Sequence, residues 1–389
     1  MAWKVTWTVG ERRRLVEMVL ERGVSVVEAA RLFGQSNRTA HKWLKRAKQL
    51  GVEEGLKDQS RARLSQKRFE GAALDSLLEL RRKHPRWGPV TLLYWLQSRR
   101  PGVEWPAAST VGEILKREGL IIPRRRLPAH GPIFRPGHSI PSQPNDRWTM
   151  DFKGHFRLLD GTLCYPLTLR DTFSRMVLRI DACLQETCEV VLPLLEAAFR
   201  EHGMPLELHS DTGAPFGSTG LGRLSVISVF LLKLGIRPIF SRPGKPQDNG
   251  AHERMHLDMK AETTRPPGGH MAQQQQMFDG FRECFDFERP HHALNGGTPS
   301  SLWVGSSRQF PATVESPTYA AHWETRRVDS SGYIKWNDER IFVGAALRHE
   351  PIGIEPFDEG LWRIHFATLH IGMLQTAGGR KKKTVVIGR

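Results

Sequence analysis

The sequence predicts a multidomain α + α/β fold: helix-turn-helix units in a basic N-terminal third, a mixed-sheet middle, and a small C-terminal β-barrel. Three observations carry this expectation. Apolar residues recur at helical spacing up to about residue 120, the pattern changes to strands after Asp146, and short strands alternate with turns over residues 332–374. At 389 residues the chain exceeds one ordinary domain, and a hydrophobic content of 39% supplies real cores.

The charge is uneven. Of the net +16, residues 1–147 hold 29 Lys and Arg against 14 Asp and Glu, whereas residues 148–389 hold 28 against 27. An excess gathered on one third of the chain points to a polyanion partner, nucleic acid before anionic membrane. A further basic run lies at Arg380-Lys381-Lys382-Lys383. No apolar run reaches membrane-spanning length and no signal peptide opens the sequence, so a cytosolic protein without membrane contact is expected. Cys164, Cys183, Cys188 and Cys284 form no CxxC pair; they read as buried free thiols, and no His/Cys quartet has zinc-finger spacing.

The first helix falls on residues 11–22, with Leu15, Val16, Val19 and Leu20 on one face, and Gly23 ends it. Ser25-Val26-Val27-Glu28 has the form of a capping box and opens a short helix. After Gly34 a third helix runs from about Asn37 to Gln49, with Ala40, Trp43, Leu44 and Ala47 inward. A short second helix, a glycine turn and a basic third helix make a helix-turn-helix pattern. Gln35, Asn37, Arg38, His41 and Lys42 lie at the start or on the exposed face of its recognition helix, and Lys45 and Arg46 extend the basic surface. Such side chains reach base edges or phosphates. Residues 56–69 are polar and basic, a linker whose Arg61 and Arg63 suit a phosphate backbone.

A second helical unit spans residues 70–122, marked by Leu74, Leu77, Leu78 and Leu80, then Pro89 opening a helix with Leu92, Leu93, Trp95 and Leu96, then a helix from Ser109-Thr110 to Arg117. Residues 123–146 are rich in Pro, Gly and Arg and read as a longer linker. The expected division is 1–55, 56–69, 70–122, 123–146, a core at 147–310, a barrel at 325–376 and a basic tail at 377–389.

In the middle, Trp148, Met150 and Phe152 alternate with Thr149, Asp151 and Lys153, a strand carrying a carboxylate at its centre. Strands at 155–159 and 163–170 follow around an Asp160-Gly161 turn, then one at 176–182 and a helix over 186–202. Asp211 ends a short strand, where α/β sheets tend to place functional groups. After the Pro/Gly-rich loop 242–250, a helix carries Glu253, His256 and Lys260 at i, i+3 and i+7, one polar stripe. A last helix is expected over 271–294, ending in His291-His292.

Asp151, Asp211 and Glu253 answer one another. Three acids converging from a strand, a strand end and a helix would repel unless divalent cations neutralised them. Carboxylates are the ligands Mg²⁺ prefers, and two such ions about 4 Å apart support phosphodiester exchange.

The blocks WTMDFKGHF, LTLRDTFSR, HSDTGAPF, RPGKPQDNGAHERMH and ERPHHAL resemble, in order, those of DDE transposases with a retroviral-integrase-type catalytic core, and more narrowly those of bacterial insertion sequences with an N-terminal helix-turn-helix. The resemblance implies an RNase H-like core with Asp151, Asp211 and Glu253 as catalytic metal ligands, and Mg²⁺ (Mn²⁺ as substitute, two ions) as cofactor. It implies hydrolysis and strand transfer on double-stranded DNA, at the terminal inverted repeats and at a target, by a homodimer or higher assembly. Lys260 matches a family lysine near the DNA end. Thr212 stands where Asn is common, and the interval from Asp211 to Glu253 is longer than usual, which leaves Asp248 as a competitor for the third position. Asp171 reads as a strand-end salt-bridge partner. Two further readings stay open: a DNA-binding regulator or degenerate copy without catalysis, and a nuclease that cuts without joining.

Overall fold

The structure, a computed structural model, describes residues 7–58, 69–121, 140–218, 221–242, 249–376 and 384–388. Asp248, Arg61, Arg63 and the basic run 380–383 lie outside the described residues. The chain divides into two compact units, Met1–Phe69 and Glu70–Arg389.

The first unit holds α1 (Val9–Leu20), α2 (Val26–Leu32), α3 (Asn37–Leu50) and the single turn α4 (Val52–Gly55). Each of the three longer helices begins at a hydroxyl cap. Thr8 and Glu11 close a full capping box ahead of α1, Ser25 accepts from the Glu28 N–H, and Ser36 accepts from the Thr39 N–H. Gly34, at φ +61°, supplies the left-handed turn between α2 and α3. Leu15, Val16, Ala29, Ala30, Ala40, Trp43, Leu44 and Ala47 form the core. Leu20, expected inward, is 44% exposed, because α1 ends before its face turns back onto α2. Ser36→Ala should cost this unit about 1 kcal/mol by orphaning the Thr39 N–H, a change that urea unfolding of the chain would read as a lower midpoint.

The second unit opens with α5 (Ala72–Lys83), α6 (Pro89–Arg99) and α7 (Ala108–Arg117). Buried Arg81 donates to the Leu120 carbonyl at 2.7 and 3.1 Å and also to that of Trp87, tying these helices together.

Next comes a mixed sheet of β1 (Arg147–Phe152), β2 (Phe156–Arg157), β3 (Leu163–Asp171), β4 (Val177–Cys183), β5 (Glu207–Ser210) and β6 (Arg237–Phe240). Its order is β4-β3-β1-β5-β6, with β2 on β3. The β3 pairings are antiparallel, whereas β1-β5 and β5-β6 run parallel. The parallel crossovers are α8 (Cys188–His202), between β4 and β5, and α9 (Val226–Lys233), between β5 and β6. Trp148 and Met150 pack with Leu167, Leu169, Val191, Leu195 and Phe199 on one face. The opposite face is covered by α10 (Gly250–Thr263) and α11 (Met271–Glu283), where Met255, Met259, Phe278 and Phe281 join Val177 and Ile180.

The helix expected over 271–294 is shorter. α11 ends at Glu283 and passes into a π-helical turn, Cys284–Glu288, and Pro290 bars continuation, so His291 and His292 lie beyond it. Asp286, on that turn, is fully buried, and its Oδ1 accepts from the Val177 N–H at 3.0 Å. Burial pushes its carboxyl up to about 8. A raised carboxyl lends stability that is whole below the unfolded value near 4 and is lost as pH climbs through 8. Asp286→Asn should therefore gain on the parent chain by roughly 1 kcal/mol per pH unit between 5 and 8, seen as diverging urea midpoints.

After α12 (Pro299–Leu302), the C-terminal part holds β7 (Glu324–Arg327), β8 (Tyr333–Trp336), β9 (Glu339–Phe342), β10 (Pro351–Asp358), β11 (Leu361–Phe366), β12 (Leu369–Thr376) and β13 (Thr384–Gly388). The expected barrel is not closed among the described residues. An antiparallel sheet of order β13-β12-β11-β10-β7 stands with a separate β8-β9 hairpin, which lies beside β7 and β13 without ladder bonds to either. Ile334, Trp336 and Ile341 of the hairpin share a core with Ile352, Ile354, Ile364 and Phe366.

Candidate active site

Strand pairing decides what surrounds Asp151. Period two sends Trp148 and Met150 to the apolar face, so Thr149 and Asp151 point to the other. The register sets Thr149 opposite Arg170 and Asp151 opposite Thr168, so four polar side chains lie on the face that α10 covers. The helix answers with polar groups of its own. His252 and His256 are both at most 1% exposed. Thr168 Oγ1 lies 2.6 Å from His252 Nε2, 2.7 Å from His256 Nε2 and 3.0 Å from the Asp151 carbonyl. His252 Nδ1 lies 2.7 Å from Thr149 Oγ1.

One proton assignment satisfies these four contacts and leaves the longer 3.5 Å approach of Thr149 Oγ1 to the Arg170 carbonyl unfilled. The Thr168 hydroxyl donates to the Asp151 carbonyl, both imidazoles donate from Nε2 to Thr168 Oγ1, and Thr149 donates to His252 Nδ1. Both imidazoles are neutral. Burial, with the charges of Lys153 and Arg170, lowers His256 to about 3, and burial holds His252 well below its ordinary value. The 3.8 Å approach of His256 Nδ1 to Asp151 Oδ2 is therefore no ion pair.

Asp151 is itself perturbed. Burial, then the charge of Asp211 and that of Glu253, push its carboxyl up to about 7, partly offset by Lys153. Asp211 follows β5 on an exposed loop, yet desolvation raises its carboxyl too, against the Gly213 N–H that steadies the anion. Glu253 is half-buried on α10. Asp151 thus feels the charges of both other expected acids. All-oxygen, anionic donors are the chemistry a hard divalent cation requires. Among the described residues, no three His, Cys, Asp or Glu side chains stand close enough to hold one ion, so the trio is a charge cluster rather than a closed ligand shell.

Other expectations fare differently. Glu253, His256 and Lys260 do not share one environment, because His256 is buried under the sheet while Lys260 is exposed. Asp171 is no salt-bridge partner. It is fully buried, its Oδ2 accepting from Ser174 N and Oγ at 2.7 Å and its Oδ1 from Asn145 N at 2.9 Å, which pins the β3–β4 turn. In the first unit Asn37, Arg38, His41, Lys42 and Lys45 are exposed along α3 and Gln35 is half-buried. Arg46 is engaged internally, stacked 4.6 Å from the Trp43 ring and bonded to the Lys57 carbonyl. Sequence reading missed the Thr149–His252–Thr168–His256 network; two histidines at i and i+4 on the helix that carries Glu253 were its one visible sign.

Two models described as integrase core domain match residues 141–246 and 234–299. A helix-turn-helix domain matches 11–63 and a homeodomain-like domain 39–115. The insertion element IS407 31.7 kDa protein of Burkholderia multivorans is 26% identical over 205 residues, 52% of this chain and 70% of that protein. The IS476 39.2 kDa protein of Xanthomonas euvesicatoria is 26% identical over 243 residues, 62% and 67%. The chain is thus similar to bacterial insertion-element proteins and to integrase core domains. Its integrase-type core follows helix-turn-helix domains, and the polar face of β1 with α10 lies within the matched region. A remoter likeness joins the core to the HTLV-2 integrase catalytic core in complex with magnesium, at 18% identity and a TM-score of 0.30 over 41% of this chain and 96% of that one. No helix among the described residues is long and apolar enough to cross a membrane.

Proposed function

We propose that this chain binds the terminal inverted repeats of a mobile element and catalyses metal-dependent cleavage and strand transfer into target DNA. The observation that carries the reading is the Asp151 carboxyl, held near 7 by burial and by the charges of Asp211 and Glu253 within an integrase core. A half-buried acid raised by the charges of two others is costly for the protein alone, and functional sites are where such perturbations gather.

In this reading Asp151, Asp211 and Glu253 hold two Mg²⁺ ions, with Mn²⁺ as substitute. Once bound, the ions would lower the pKa of an attacking water or 3′-hydroxyl and stabilise the leaving oxygen. The chain's own side chains do the rest. α3 offers Asn37, Arg38, His41, Lys42 and Lys45 to a major groove, with Gln35 at its start, and Arg46 assists from behind them. Arg61 and Arg63 track phosphates along the linker. Lys260, two helical turns beyond Glu253, meets the DNA end about 10 Å along the helix axis. The C-terminal sheet and hairpin serve DNA or protein contacts, the core is RNase H-like, and two DNA ends meet on a homodimer or larger assembly. The protein works in the bacterial cytoplasm at the nucleoid.

The test is to incubate the purified chain with the ends of its own element, a target duplex and Mg²⁺ or Mn²⁺, scoring binding, cleavage and joining together. Joined products support the reading. Cleavage without joining would make the chain a nuclease, and binding without chemistry under both metals would make it a DNA-binding regulator or a dead copy.

A further inference from the structure

A cleft of about 270 Å³ opens where α10 meets the β3–β4 turn and the segment after α11. Four arginines line it: Arg170, Arg175, Arg254 and Arg289. They face one carboxylate, Asp258, which Arg289 holds at 2.8 Å and Arg254 approaches at 3.9 Å.

Arg170 is the anomaly. It is 2% exposed, and its guanidinium makes no hydrogen bond or ion pair among the described residues; Nε is shut off from solvent as well. Of the nearby acids, Asp171 is bonded to Asn145 and Ser174, while Asp286 gives one oxygen to Val177; both attract Arg170 without a hydrogen bond to it among the described residues. Burial and the charge of Arg175, partly offset by Asp171 and Asp286, push Arg170 down to about 10, so it is charged at neutral pH. A buried cation without a partner is among the costlier arrangements in a protein interior. It is retained where an anion completes it. Arg175 adds a second unusual feature, a non-glycine residue at φ +68° at the start of the β3–β4 turn's return strand.

We infer that this cleft is a phosphate-binding site, in which Arg170 at the base and Arg175, Arg254 and Arg289 around it clasp a tetrahedral oxyanion. Guanidinium forks match phosphate oxygens in pairs and are less strongly hydrated than ammonium groups, which favours such a partly enclosed place. The phosphate comes either from a DNA backbone reaching the cleft or from a free phosphate anion. The inference stands apart from the proposed catalysis, because it needs neither metal nor strand transfer.

The experiment titrates inorganic phosphate into the full chain by calorimetry, in chloride buffers of matched ionic strength. Saturable binding is expected in the parent chain, and each of Arg170→Met, Arg175→Gln and Arg254→Gln should weaken it on the order of tenfold. Arg254 is exposed, so its variant decides the matter if Arg170→Met fails to fold. The titration is then repeated with excess duplex DNA. If DNA abolishes the phosphate isotherm, and does so less effectively in Arg254→Gln, a backbone phosphodiester is the natural occupant. If the isotherm persists, the site serves a free phosphate. No saturable binding in the parent, or equal binding in the parent and both exposed-side variants, would overturn the inference.

Discussion

Asp151→Asn is expected to cut joining activity by on the order of a thousandfold or more while DNA binding through the first unit stays unchanged. Asn keeps the shape of the side chain and its place in β1 but removes the charge that a divalent ion needs. The same change should stabilise the metal-free chain. A carboxyl held near 7 in the fold, against about 4 unfolded, lends stability that is complete at low pH and lost as pH rises through 7. Above that pH the parent carries a buried, repelled carboxylate that the Asn variant lacks, a gain of about 1–3 kcal/mol. Activity assays and urea unfolding at pH 8 on the two proteins check both halves. A variant that loses activity and also loses stability would mean that Asp151 is a structural residue, and the proposed site would fall with it. In the parent chain, Mg²⁺ should bind more weakly below pH 7, where the ion competes with a proton on Asp151.

Much of this site was legible before any coordinates. Alternation along β1 put Asp151 on its polar face with Thr149, and Asp211 was placed at the end of β5. Helical spacing placed Leu15, Val16, Ala40, Trp43 and Leu44 in one core. What stayed hidden depends on pairings between distant segments. His256 fell on a polar stripe with Glu253 and Lys260, and a polar stripe ordinarily faces water. It is buried here because the sheet beneath is polar at Thr149 and Thr168, which follows only once β1 and β3 are in register. Asp171 read as a strand-end salt-bridge partner, yet the turn's own N–H and hydroxyl groups hold one of its oxygens. Of the C-terminal strands, β8, β9, β10 and β11 were readable one by one, whereas β7, β12 and β13 were not. Whether they close into a ring depends on edges that local alternation does not encode.

The Thr168 hydroxyl gives the second large effect, because it holds two helical side chains and a strand carbonyl at once. Thr168→Val keeps the branched shape and removes the oxygen. Both Nε2–H groups, of His252 and His256, then point at a methyl in a place from which water is shut out. At about 1–3 kcal/mol for each orphaned donor, the expected loss is roughly 2–5 kcal/mol. Neither imidazole can escape by taking a proton, since burial already disfavours the charged form. Thr168→Ser separates this cause from simple loss of packing. It restores the oxygen without the methyl and should cost no more than about 1 kcal/mol. The same pair reports on function, because Thr168 bonds to the backbone of Asp151 and, through His256, borders its carboxyl. Under conditions where Thr168→Val still folds, joining should fall further than DNA binding, and Thr168→Ser should recover both. If Val and Ser unfolded at the same urea midpoint, the hydroxyl would be no more than a bystander between β3 and α10.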